Sequence, residues 1–116
     1  MPEIFDERRQ EPRFPAAGEA SFMFADRNHV ATLLDLSLNG MRVSRPLEFT
    51  PPRGERFRIT LEIPGTDRFT AEVMLVHTED RELGLEFYDM PPRDFGVLAG
   101  LIEQFAKVRR SPVKLY

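Results

Sequence analysis

The run "ERFRITLEIP", residues 55–64, puts Phe57, Ile59, Leu61 and Ile63 on one side and Arg56, Arg58, Thr60 and Glu62 on the other. Successive side chains of an extended chain point to opposite faces, so this spacing demands a strand with one buried and one wet face. Similar segments lie on both sides of it. "EASFMFAD" alternates around Phe22 and Phe24, "HVATLLDLS" reads Val30, Leu34 and Leu36 on one side, and "MRVS" aligns Met41 with Val43. "FTAEVMLVHTED" and "LGLEFYDM" follow, and "ADRN", "LNG", "GTDR" and a polar turn at Arg81 and Glu82 supply short links. In "LNG", Gly40 is free to take positive φ. Six strands with one apolar face and hairpin connections favour an all-β antiparallel barrel, because closure removes exposed edges.

The period changes after Pro92. Phe95, Leu98, Leu101, Ile102, Phe105 and Val108 recur at steps of three and four, so residues 93–109 are expected to form an amphipathic helix flanking the barrel. Gly96 and Gly100 on that helix are expected to let it approach the barrel closely, and Lys107, Arg109 and Arg110 complement the helix dipole. The loop "PLEFTPPRG", residues 46–54, is more apolar than a simple connection needs. It either packs across a barrel end or offers a surface to a partner.

With 116 residues, 41% of them hydrophobic, the chain holds one modest core. It divides into an arginine-bearing segment, residues 1–14, expected to be flexible, and a barrel with its helix, residues 15–116. No apolar stretch is long enough for a membrane span and the start lacks the pattern of a secretory signal, so a cytoplasmic protein is expected, with no membrane insertion. The chain has no cysteine and two isolated histidines, His29 and His77, which argues against disulfides, a metal site or a cofactor. A net charge of −3 argues against binding a nucleic acid polymer.

Two short elements carry chemistry. "ERRQEPR", residues 7–13, holds Arg8, Arg9 and Arg13, and "DLSLNG", residues 35–40, holds Asp35 and Ser37 opposite the leucines before a bare turn at Gly40. Arginine forks pair bidentately with phosphate oxygens and with guanine O6 and N7, while a carboxylate accepts from guanine N1 and N2. An anionic, planar, hydrogen-bonding ligand such as a guanine nucleotide suits the set.

With "RxxxR" at Arg9 and Arg13 and "[DN]xSxxG" at Asp35, Ser37 and Gly40, the chain resembles the PilZ domain, the bacterial receptor for cyclic di-GMP. The resemblance spans nearly the whole chain, including "LGLEF", residues 83–87, and the following helix. It implies a six-stranded PilZ-type barrel with a C-terminal helix that binds cyclic di-GMP and is not an enzyme. The arginine segment would fold over the ligand, with Arg9 and Arg13 gripping guanine edges and phosphates and Asp35 and Ser37 fixing a guanine. Gly40 would leave room. Arg8 extends the element to "RRxxxR", a spelling that in the family goes with two stacked nucleotides. Where members often carry a tryptophan that stacks on a base, this chain has His77, whose parity with Val73 and Leu75 also allows packing in the barrel end. A receptor of this kind signals by ordering the segment and presenting a composite surface to a protein effector.

Rival readings come from other classes. An enzyme would need a nucleophile paired with a base, and Ser37 lacks the "GxSxG" context. A ligand-independent, PilZ-like protein-interaction module is the main alternative.

Overall fold

The computed structural model describes residues 12–109, so Arg8, Arg9 and Arg110 lie outside the described residues. Among the described residues seven strands precede one helix: β1 (Phe14–Pro15), β2 (Glu19–Phe24), β3 (Arg27–Leu36), β4 (Gly40–Ser44), β5 (Arg56–Glu62), β6 (Phe69–Thr78), β7 (Glu82–Asp89) and α1 (Pro92–Arg109). Every strand pairing is antiparallel. The order β1-β3-β2-β5-β6-β7-β4, with β3 also pairing β4, closes β2 to β7 into a six-stranded barrel. The all-β barrel and C-terminal helix read from the sequence are the observed architecture. β1 is a two-residue addition that pairs Phe14 with Leu36 and Pro15 with Asp35 at the end of β3.

The hairpin between β2 and β3 turns on Ala25 and Asp26, both with positive φ, the conformation that matches the twist of the flanking strands. In β5, Phe57, Ile59 and Leu61 are buried and Arg56, Arg58 and Glu62 exposed, as the alternation requires. Phe49 from the β4–β5 loop is buried at one barrel end, edge-on to Phe22 at a centroid distance of 5.1 Å and to Phe24 at 5.3 Å. The loop therefore packs across the barrel end through Phe49, yet Leu47 beside it stays 89% exposed.

Helix α1 opens on Pro92, a residue pre-shaped for the first helical position. Asp94 is buried and accepts the Thr70 backbone N–H at 2.8 Å, pinning the helix start to β6. Leu98, Leu101 and Ile102 are buried against the barrel, and Phe105 meets Phe14 at 5.8 Å between ring centroids. Burying each of these aliphatic side chains contributes about 1.5–3 kcal/mol. The apolar stripe is narrower than the periodicity suggests, because Phe95 and Val108 are exposed. Gly96 and Gly100 do not bring helix and barrel together: a Cβ at either would meet nothing within 4 Å. Close approach is not their role here, since α1 rotates its larger side chains, not its glycines, toward the barrel.

The inward set of β3 also departs from the sequence reading. Ala31, Leu33 and Leu36 are buried, Val30 is exposed and Leu34 half-buried, because the register with β4 slips between Leu33 and Asp35. Such a bulge inserts one extra residue and reverses the alternation beyond it.

Candidate functional site

The slip in β3 determines where Asp35 points. Uninterrupted alternation from Ala31 and Leu33 would turn Asp35 into the core; the bulge turns it outward instead. A second slip, between Leu75 and His77, does the same for His77, which unbroken alternation after Val73 and Leu75 would bury. Both side chains then join one cross-strand row on the outer surface. Pro15 pairs with Asp35, Asp35 with Arg42, Arg42 with Gly84, and Gly84 with His77, so the row crosses β1, β3, β4, β7 and β6 in turn.

Asp35 is the electrostatic centre of this row. Its side chain is 10% exposed, and each carboxylate oxygen takes a guanidinium: Arg13 Nη1 donates to Oδ1 at 2.9 Å and Arg42 Nε to Oδ2 at 2.7 Å. A sheltered carboxylate is costly unless paired, and charge-assisted bonds from two planar forks meet that need. Arg42 continues outward, its Nη1 donating to Glu82 Oε1 at 2.8 Å. The Asp35 hydrogen bond, followed by the charge of the same carboxylate, raises the Arg42 pKa above its ordinary value, against a lowering by burial. Arg13, the second arginine of "RxxxR", thus reaches the "DLSLNG" aspartate across 22 residues of sequence.

Ser37 does not point outward beside Asp35 as the sequence reading had it. It is buried, and its Oγ accepts the backbone N–H groups of Asn39 at 3.1 Å and Gly40 at 3.2 Å while facing the Gly40 carbonyl at 3.3 Å. The hydroxyl closes its own turn, a common use of serine between strands. Gly40 does not take the positive φ expected of it. It begins β4 opposite Glu86, and positive φ among the glycines occurs at Gly54 and Gly65, not here. What excludes a side chain at Gly40 is β7, because a Cβ would overlap the Leu85 carbonyl oxygen.

His77 is not packed in the barrel end. Its side chain is 60% exposed and its Nε2 lies 2.7 Å from Glu79 Oε2. It leans over Gly84, where an added Cβ would stand 3.0 Å from the His77 Cβ, so the strip of β7 between Arg42 and His77 is floored by bare backbone. Arg42, Glu82 and Gly84 escaped the sequence reading. Arg42 carried a signal, since it sits between Met41 and Val43 and must face away from the core they fill. Among the described residues no group of three or more His, Cys, Asp or Glu side chains is placed to hold a metal ion, and no helix is long and apolar enough to cross a membrane.

The PilZ domain family model matches residues 7–104, most of the chain and all of this row. The chain belongs to the PilZ family. No curated protein matches it by sequence. Among solved structures it is similar to the PilZ domain with c-di-GMP of YcgR from Escherichia coli, at 20% identity and a TM-score of 0.75 over 94% of this chain and 99% of that one. It is also similar to YcgR in complex with c-di-GMP from the same organism, at 22% identity and a TM-score of 0.78, covering 92% of this chain but 50% of that longer one. The inhibitor of motility MotI/DgrA of Bacillus subtilis matches at 18% identity and a TM-score of 0.76, over 89% of this chain and 52% of that one. At such identities the likeness concerns the PilZ fold.

Proposed function

We propose that this PilZ domain is a receptor for cyclic di-GMP, bound on the outer surface along the row from Asp35 to His77. The observation that carries the reading is the junction of Arg13 with Asp35, at 2.9 Å, which joins the two elements of the family motif in one sheltered polar site. A carboxylate offers about four lone-pair sites, so Asp35 retains acceptor capacity for guanine N–H donors beside its two arginines. Arg13 and Arg9 supply forks for guanine edges and phosphates, and His77 offers an exposed ring at the far end.

In this reading the arginine-bearing segment ahead of Arg13 orders over the ligand, Arg13 and Phe14 being already held on the barrel, and the ordered segment with the barrel forms the surface that a protein effector recognises. Two stacked nucleotides bring about four negative charges, and Arg8 supplies the further cation that a pair requires. Structures of relatives described with c-di-GMP support the choice of ligand. Calorimetry with cyclic di-GMP, cyclic di-AMP and GTP tests it: tight binding of the first alone is expected, and equal or absent responses refute it. Native mass spectrometry at saturation tests the stoichiometry. Two nucleotides per chain are expected, falling to one in Arg8→Leu.

A further inference from the structure

Arg42 lies outside both motif elements, yet it is bound to the site's central carboxylate as directly as Arg13 is, at 2.7 Å beside 2.9 Å. Its three guanidinium nitrogens are differently employed. Nε holds Asp35 and Nη1 holds Glu82, while no hydrogen bond from Nη2 is found among the described residues. The side chain is 46% exposed, and the next residue along the row is Gly84, which puts nothing but backbone between it and His77. A guanidinium oriented by a sheltered carboxylate, with a donor unused among the described residues and bare backbone beside it, is arranged to receive an anion or the edge of a base.

Glu82 acts in the opposite sense. Its carboxylate is 31% exposed at the outer end of the chain Asp35–Arg42–Glu82 and occupies one donor of Arg42. Its charge lies well within the screening length of about 8–10 Å from anything Arg42 touches, so it repels an arriving phosphate. It also steadies Arg42, but the bond from Nε to Asp35 already orients the guanidinium plane. Removal of the charge therefore outweighs loss of the restraint.

We infer that Arg42 is a further ligand-anchoring residue of this site, positioned by Asp35, and that Glu82 is a built-in competitor that lowers affinity for an anionic nucleotide. The inference rests on the cyclic di-GMP reading above. It makes the two partners of one ion pair act with opposite signs, which a purely structural pair would not do.

Calorimetry with cyclic di-GMP on the full chain tests it, using wild type, Arg13→Ala, Arg42→Gln, Arg42→Lys and Glu82→Gln, with thermal melts confirming the fold of each. Arg42→Gln should weaken binding about 10-fold or more, the loss expected from a charge-assisted contact. Arg42→Lys should recover a minor part of it, because an ammonium cannot serve Asp35 and the ligand with one planar fork. Glu82→Gln should tighten binding roughly 2- to 5-fold, the scale of a partly exposed ion pair. Wild-type affinity in Arg42→Gln together with loss of binding in Arg13→Ala overturns this inference and leaves the cyclic di-GMP reading standing. Weaker or unchanged binding in Glu82→Gln overturns the competitor role even where Arg42→Gln fails to fold. A wild-type chain that does not bind cyclic di-GMP overturns both.

Discussion

The barrel carries charged residues on two outer faces, and the two are built differently. Where β5 pairs with β6, from Arg56 against Met74 to Leu61 against Phe69, the register does not slip, and Arg58 meets Glu72 at 2.9 Å with side chains 72% and 33% exposed. Thr60 and Thr70 face one another beside that pair, and Arg56 lies 3.9 Å above the Tyr88 ring. Every one of these groups keeps its access to water. On β3, β4, β7 and β6 a bulge on each flank breaks the alternation and turns Asp35 and His77 outward, and Asp35 is then almost closed off by two arginines. An ion pair open to solvent contributes little because water serves each charge nearly as well; a sheltered carboxylate depends on its partners. The number of charges on a face therefore says less about function than the shelter around one of them.

The sharpest way to break the contrast is at the glycine that lets β4 lie against β7 beneath the site. Gly40→Ala should destabilise the protein by about 3 kcal/mol, the upper range for forced overpacking, because the obstacle is the Leu85 backbone and not a movable side chain. Chemical denaturation measures this, and a near-neutral result would mean that β4 and β7 separate easily. Next in size are Arg13→Ala and Asp35→Ala, each expected to weaken cyclic di-GMP binding by about 1.5–3 kcal/mol, roughly 10- to 150-fold, in calorimetry. Unchanged affinity in both variants would make the junction of Arg13 and Asp35 a purely structural pair.

Ser37→Ala sharpens the comparison in another direction. The hydroxyl serves the turn, so the variant should lose about 1–2 kcal/mol of stability by leaving the Asn39 and Gly40 N–H groups short of an acceptor, with a smaller effect on affinity. A large loss of affinity with an unchanged melting temperature would show that the serine leaves its turn to meet the ligand. The smallest effect belongs to the other face. Arg58→Ala and Glu72→Ala should each change stability by less than about 0.5 kcal/mol and leave cyclic di-GMP affinity as it is. An altered affinity in either would place ligand where the contrast says there is none.

Much of the fold was legible in local spacing. Phe57, Ile59 and Leu61 announced β5, and Leu98, Leu101 and Ile102 announced the helix, because strand and helix periods are properties of consecutive residues. Arg13 and Asp35 were legible as candidates through their motif. Gly40 was recognised, but it does not take the positive φ expected of it, and the close approach from β7 cannot be seen in "LNG". For His77 the inward of the two options came from counting parity from Leu75 without the bulge between them. Phe95 and Gly96 show the same limit on the helix, where period alone does not say how far round the buried stripe extends.

The sequence by itself determined the six alternating strands, the turns between them, the terminal helix and the membership of Arg13, Asp35, Ser37 and Gly40 in two short motifs. Tertiary structure alone decided which of those side chains meet. A bulge exists only relative to the partner strand, because it is one residue too many against a neighbour's count. The bond from Arg42 to Asp35 likewise depends on register between β3 and β4, and the one from Arg42 to Glu82 spans 40 residues. Alternation is a rule about neighbours along the chain, whereas the site is assembled from neighbours across the sheet.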